Sequence, residues 1–320
     1  MNDQDEAWQA EYQKYQTETV SGLSDSSRYR DLPTFKYWFR AIERYCSWVN
    51  KIHVITCGHY PEWLNQNHPK LNLIKHEDYI PKRYLPTFSS PVIELNLHRI
   101  AELSEHFILF NDDFFVNSQI NPDDFFVNNL PKDSLAIVPL STRFSSSYLE
   151  LNNQILINQE FRQREIIKKI FPKLFSFKNG LFVNLMNLVM LPFPFISDIY
   201  NFHITTASTK SSYEEAWQLY HKELDKGCLQ KFRNKESYSR FLVRSRQLLK
   251  GKFVPTNMRK LGSFINLKKD EDYLKYLSNN KKILCLNDSW LLDIDDFEVE
   301  KERLVAAFEE KFPEKSSFEV

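Results

Sequence analysis

The chain has 320 residues, 42% hydrophobic and 15% aromatic, which is ample for a packed core and excludes global disorder. Lys plus Arg and Asp plus Glu both number 42, so the formal net charge is zero and no strongly basic nucleic-acid binder is indicated. With only 6 Gly there is no GxGxxG or Walker-type loop to cradle a phosphate.

The first twenty residues are polar and acidic, unlike a secretory signal. Residues 1–27 show a helical pattern around Trp8, Tyr12 and Tyr15 and end in a Ser-rich stretch. From Thr34 to Val49, Phe35, Trp38, Phe39, Ile42 and Tyr45 recur at helical spacing. Lys51 to Thr56 is a β-branched run closed by Cys57-Gly58, and Leu71 to Lys75 is a second short strand. Between them Pro61 begins a helical turn. Pro91 to Leu103 reads as a helix with Glu94 and His98 sharing a face at i,i+4. Phe107 to Phe110 is a strand running into Asn111-Asp112-Asp113.

Residues 141–200 read as helical insertions, with a charged helix at Gln159 to Ile170. Leu181 to Ile196 is the most apolar stretch, but Asn184, Asn187, Pro192 and Pro194 argue against a spanning helix. A buried helix is the preferred reading and an interfacial one the alternative. Helices follow at Ser211 to Lys226 and Ser237 to Lys250, then a strand at Lys282 to Leu286 leading into Asn287-Asp288. A charged helix from Asp295 to Lys311 ends before Pro313. Strands alternating with helices predict an α/β fold: an open, mostly parallel, Rossmann-like sheet flanked by helices. Residues 1–140 and 201–320 would form the catalytic core and 141–200 a helical insertion. Cys46, Cys57, Cys228 and Cys285 show no CxxC spacing and read as reduced thiols.

Asn111-Asp112-Asp113 is the strongest chemical signal. Two carboxylates at a strand end supply hard oxygen ligands for Mg²⁺ or Mn²⁺, which suits a diphosphate, whereas a solvated turn is the plain alternative. Open α/β sheets gather ligands at such carboxyl ends. His203, after Tyr200-Asn201-Phe202, is of a type that serves as base or nucleophile, though a lone His is more often structural. Arg233 has the planar fork that clamps phosphate, although most Arg are solvated. Asn287-Asp288 repeats the strand-end placement. Arg28, Arg30 and Asp31 form a cluster suited to phosphate contact, with a surface salt bridge as the default. His53, His59, His68 and His76 lack metal-ligand spacing, and there is no GxSxG.

A resemblance gathers these residues. Arg28 to Thr56, Pro61-Glu-Trp-Leu-Asn, Tyr84-Leu-Pro-Thr-Phe-Ser-Ser, Ile93-Glu-Leu-Asn-Leu-His-Arg-Ile, Phe110-Asn-Asp-Asp-Phe-Phe and Pro122-Asp-Asp-Phe-Phe resemble the second block of the Stealth family. Phe202-His203 and Lys231-Phe232-Arg233 resemble its third block, and Cys285-Leu-Asn-Asp its fourth. The resemblance implies transfer of a hexose-1-phosphate or N-acetylhexosamine-1-phosphate from a UDP-sugar to a saccharide hydroxyl, in capsular or cell-surface polysaccharide synthesis. It is shared with the core of the animal GlcNAc-1-phosphotransferase. It implies a metal on Asp112 and Asp113, catalytic roles for those two, His203 and Arg233, and substrate contacts from Arg28, Arg30, Asp31, Glu94, His98, Asn111, Asn287 and Asp288. A cytoplasmic enzyme is expected, peripherally associated with the inner face of the membrane.

One departure bears on activity. The family's first block is a strand ending in a Trp-Val-Asp-Gly-like motif before a Glu-Trp-Gln-like helix. Only the helix part is matched, at Asp5 to Glu11, so the expectation is a misplaced start or a shortened copy. Two rival functions remain open from the residues: a metal-dependent glycosyltransferase, which releases UDP, and an inactive copy that binds sugar, nucleotide or protein.

Overall fold

Apolar residues at a period of two or of about 3.6 place the short strands and the helices, and the break residues between them set their ends. In a computed structural model the chain is described over residues 6–15, 30, 32–142, 147–288 and 292–320. The Ser-rich stretch at 24–27, Arg28 and Asp31 lie outside the described residues.

Helix α1 (Glu6–Tyr15) sets Trp8 and Tyr12 against the stacked rings of Phe88 and Phe232. Helix α2 (Phe35–Tyr45) buries Tyr37, Phe39, Ala41 and Ile42. Strands β1 (Ile52–Thr56) and β2 (Leu71–Lys75) pair in parallel, close to their predicted spans. Residues 61–64 make a turn rather than a helix, and Leu64 bridges to Glu319. Helix α3 (His76–Tyr79) follows, then α4 (Ser90–Leu95) with Pro91 in its first turn. The predicted helix from Pro91 to Leu103 is therefore short. Asn96 ends it, its side chain turned back on the carbonyl of Val92 at 2.8 Å, and a 3-10 turn covers Leu97–Arg99. Glu94 and His98 consequently do not share a helix face.

Strand β3 (His106–Leu109) leads into the acidic pair, and β4 (Phe114–Val116) leaves it. Strands β5 (Phe126–Val127), β6 (Leu130–Asp133) and β7 (Ile137–Val138) precede the helical stretch. That stretch holds α5 (Ser147–Glu160), α6 (Gln163–Leu174) and α7 (Leu181–Met190). The helix predicted at Gln159 to Ile170 is interrupted at residues 161–162, and α6 is kinked at Ile170, two residues before Pro172.

Helix α7 corrects the buried reading of the apolar stretch. It buries Val183, Asn187 and Met190 but exposes Leu181, Leu185, Leu188 and Val189. Its asparagines face inward. Asn187 donates to the carbonyls of Leu135 and Leu174 and accepts from Ile137 N–H, so it satisfies backbone groups at the end of α6 and the start of β7.

The remaining elements are β8 (Asp198–Ile199), β9 (Thr206–Thr209), α8 (Lys210–Leu219), α9 (His221–Cys228), α10 (Phe241–Leu249), β10 (Val254–Pro255), α11 (Met258–Leu261), β11 (Gly262–Asn266), α12 (Tyr273–Leu277), β12 (Ile283–Asn287) and α13 (Ile294–Lys311). The single helix predicted from Ser211 to Lys226 is two, parted at Tyr220, whose hydroxyl is drawn to Glu160 at 2.5 Å. The fold is mixed α/β, and its described strands form five small sheets. Pairs β1–β2, β6–β10 and β11–β12 are parallel, while β3–β9, β4–β12, β5–β6 and β7–β8 are antiparallel.

Two apolar clusters form the interior. One gathers α2, β1, β4, β11, β12 and α13; the other gathers α4, α8, α10 and the 147–190 helices. Strand β3 lies between them. Its Ile108 packs on the first cluster and its Phe107 and Leu109 on the second, as alternate residues of a strand must.

Candidate active site

Two strand pairings bring distant residues to one point. Antiparallel β3–β9 sets Leu109 opposite Thr206, so the chain leaving β3 toward Asp113 runs beside the chain that enters β9 from His203. The Thr205 hydroxyl locks that junction on the Leu109 carbonyl at 2.6 Å. Antiparallel β4–β12 sets Cys285 opposite Phe114, and Leu286 N–H donates to the Asp113 carbonyl at 2.8 Å. Asp113, His203 and Cys285 therefore meet.

His203 has the left-handed φ of 50°, a strained backbone for a non-glycine residue. Its N–H is held by Asn201 Oδ1 at 2.8 Å. Its ring stands edge-on to Phe114 and Phe264, and Nε2 lies 3.9 Å from Asp113 Oδ2. Burial, with the Arg240 charge nearby, pushes the imidazole down to about 4, so it is neutral at pH 7. Burial and the neighbouring Asp112 push the Asp113 carboxyl up to about 7. The Cys285 thiol, raised by burial and by that carboxylate, stays protonated and donates to Asp113 Oδ2 at 3.0 Å.

A second group faces this one. Glu94 of α4 pairs with Arg240 at 3.2 Å, and both side chains are largely buried. Arg240 also donates to the Thr206 hydroxyl at 2.8 Å. Burial raises the Glu94 carboxyl, Arg240 and Arg233 oppose that, and Asp112 adds to it. Glu94 thus feels both arginines and Asp112. Arg233 is bonded to Ser90 Oγ at the start of α4 and also acts electrostatically on Glu150 of α5. Behind His203, Arg244 grips Asp133 with two bonds of 2.7 Å and reaches the Tyr200 carbonyl.

Of the residues expected at the site, Asp112, Asp113, His203, Glu94 and Arg233 fall in one neighbourhood. Asn111 closes the turn before β4 through its carbonyl. His98 turns instead against the rings of Tyr213 and Trp217. Asn287 is bonded to Asn266, and Asp288 lies 3.8 Å from Arg30, whose guanidinium covers Phe297. Arg28 and Asp31 are outside the described residues. Sequence reasoning missed Arg240, Arg244 and Cys285. The signal present was in the helix expected from Ser237 to Lys250, whose apolar run carries Arg240 and Arg244 at i and i+4.

The donor atoms of Asp113, His203 and Cys285 lie within 4.8 Å of one another, an arrangement compatible with a divalent cation. An acid held up by an adjacent acid is the electrostatics such a cation relieves. The oxygen and nitrogen donors suit it; the protonated thiol is no ligand for a hard ion and serves to hold the carboxylate.

Comparison with known proteins accords with this geometry. Residues 28–133 match the Stealth protein CR2, conserved region 2, family description. A capsular polysaccharide phosphotransferase WcwK of Streptococcus pneumoniae is 42% identical, aligned over 100% of this chain and 96% of its own length. An exopolysaccharide phosphotransferase cps2G of Lactiplantibacillus plantarum is 33% identical over 92% of this chain and 88% of its own. A receptor polysaccharide phosphotransferase WefC of Streptococcus gordonii is 33% identical over 93% and 90%. Identity of this degree along the whole chain, with the matched block carrying Glu94, Asp112 and Asp113, makes this protein a member of the Stealth family of polysaccharide phosphotransferases.

Proposed function

We propose that the chain transfers a hexose-1-phosphate or N-acetylhexosamine-1-phosphate from a UDP-sugar to a hydroxyl of a saccharide acceptor, with Mg²⁺ or Mn²⁺, in capsular or cell-surface polysaccharide synthesis. The observation that carries it is the meeting of Asp113 and His203 with the Glu94–Arg240 pair and Arg233, in a chain akin to polysaccharide phosphotransferases along its whole length. Residues 1–140 and 201–320 form the catalytic core in this reading and 141–200 a helical insertion. The parallel pairs β1–β2 and β11–β12, which lie in separate sheets, are the elements this reading takes as remnants of an open nucleotide-sugar fold.

The new bond joins the acceptor oxygen to the β-phosphorus. The bond from that phosphorus to the bridging oxygen breaks, and UMP leaves with that oxygen. A divalent cation, when bound, neutralises diphosphate charge. Asp113 and the exposed Asp112 would hold it, with Cys285 fixing the orientation of Asp113. The His203 imidazole, neutral at pH 7, has one nitrogen lone pair, and in this reading uses it not on the cation but to accept the acceptor's proton or to attack phosphorus first. Arg233 offsets charge on the phosphoryl oxygens. Arg240, tied to Glu94 and Thr206, sets the local field rather than gripping substrate.

The test is direct. The full chain is incubated with a panel of UDP-sugars, a saccharide acceptor and Mg²⁺ or Mn²⁺, and the released nucleotide is identified. UMP together with a sugar phosphodiester is expected, and His203→Ala and Asp113→Asn should each lower the rate about 10²- to 10⁴-fold. Release of UDP defeats the proposal in favour of glycosyl transfer.

A further inference from the structure

Residues 161–197 divide charge from apolar surface sharply. Arg162, Arg164, Lys168, Lys169, Lys173 and Lys178 stand against a single acid, Glu165, and from Asn179 to Ser197 there is no charged residue. Arg162, Arg164, Lys168, Lys169 and Lys178 are exposed. On α7, Leu181, Leu185, Leu188 and Val189 are 84%, 49%, 57% and 53% exposed, while Val183, Asn187 and Met190 point inward. Phe177, Phe193 and Phe195, which flank the helix, are 99%, 45% and 52% exposed. Of the eighteen large hydrophobic residues exposed among the described residues, eight fall between 171 and 195. Apolar surface concentrated in this way marks an interaction site.

Charge decides the partner. Gln163 and Leu174 of α6 are bonded to Met190 and Asn187 of α7, so exposed basic residues of α6 accompany the apolar helix face, a pairing that suits an anionic bilayer, with acidic headgroups outside and acyl chains within. A second copy of the chain would bring the same exposed basic residues against themselves, which is repulsive. Ten residues at 1.5 Å each make α7 about 15 Å long, too short to span. No helix of the described residues is long and apolar enough to cross a membrane.

We infer that this face docks on an anionic membrane surface, with α7 lying in the interface and Phe177, Leu181, Leu185 and Leu188 at the acyl boundary. The anchor is tied to the site. Asn187 bonds to Leu135 and Ile137, and the Phe182 ring packs on Tyr200, which leads into His203. Docking through α7 would hold the catalytic end at a fixed height and orientation above the lipid.

Flotation of the full-length protein with vesicles tests this. Vesicles of phosphatidylcholine alone are compared with vesicles containing roughly one third phosphatidylglycerol. Binding to the anionic vesicles is expected, weakening as salt is raised. Leu185→Gln with Leu188→Gln should weaken it about tenfold or more. Lys168→Glu with Lys169→Glu should erase the preference for phosphatidylglycerol. These side chains are exposed, so an unchanged melting curve will confirm that each variant folds. Absence of anionic-vesicle binding overturns the inference, as does binding that the leucine pair does not affect. A dimer in sedimentation velocity that the leucine pair dissociates, without vesicle binding, assigns the face to a second copy and also overturns it.

Discussion

At the scale of single residues, the site is built on charges whose partners lie far away in sequence. Arg240 is 4% exposed and Glu94 16%, so neither charge is well solvated and each depends on the other. Removing one partner leaves the other buried and unpaired, which costs about 3–5 kcal/mol, whereas replacing both with apolar groups is far milder. Arg240→Met should therefore destabilise the protein by about 3 kcal/mol in urea unfolding. Adding Glu94→Leu should recover at least about 1 kcal/mol, because the stranded carboxylate is gone. Strictly additive effects would show that the pair is not coupled. Arg240 was not legible from sequence for the same reason: its meaning lies in Thr206 and Glu94, and no local spacing encodes either contact. Asp112 and Asp113 were legible because two acids at the end of an apolar run need only local chemistry to stand out.

At the scale of elements, the periodic segments were legible and their breaks were not. The helix at 295–311 and the strands at 51–56 and 71–75 were placed almost to the residue, and the helix pattern at 34–49 was found but ends at Tyr45, four residues early. The helix predicted at 91–103 was over-extended, since the Asn96 side chain turns back on Val92 and ends it, and those predicted at 159–170 and 211–226 are each broken, at residues 161–162 and at Tyr220. The strands β9 and β11 went unread because they are short and owe their form to their partners.

Helices α8 and α10 are joined by charge as well as by packing. Glu215 of α8 accepts from Arg246 of α10 at 2.9 Å and from Lys250 and Lys252 at 2.8 and 2.7 Å. Those bonds, led by the one from Lys250, hold its carboxyl down to about 2, against an ordinary value of 4.5. A carboxyl lowered on folding stabilises above its unfolded value and loses that contribution as pH falls toward its folded one. Glu215 is about a third exposed, so screening reduces the effect to about 1 kcal/mol. Glu215→Gln should thus lower stability by that amount above pH 4.5, and the two proteins should converge as pH falls to about 2. A constant difference across that range in pH-dependent urea melts would exclude the clamp.

At the scale of the molecule, the site lies on the seam between the two apolar clusters. Cys285 belongs to β12 of the first and Asp113 to the turn that enters β4, with Ile204 beside His203 in the same cluster, while Glu94 and Arg240 stand next to Leu95 and Leu242 of the second. Strand β3 gives side chains to both, and its pairing with β9 carries Thr206 to Arg240. Under the proposed function, a UDP-sugar and cation held by Asp113 and Arg233 would bridge residues of both halves, so they should stabilise the whole chain rather than one part. A ligand at about 100 times its Kd adds about 2.7 kcal/mol to the folded state. For a chain of this size that corresponds to about 5 °C in the melting midpoint. Calorimetry with UDP-sugar and Mn²⁺ should show one transition moved up by that amount, and Asp113→Asn should abolish the shift. If instead the melt resolves into two steps and ligand moves only one, the clusters unfold independently and the seam does not couple them.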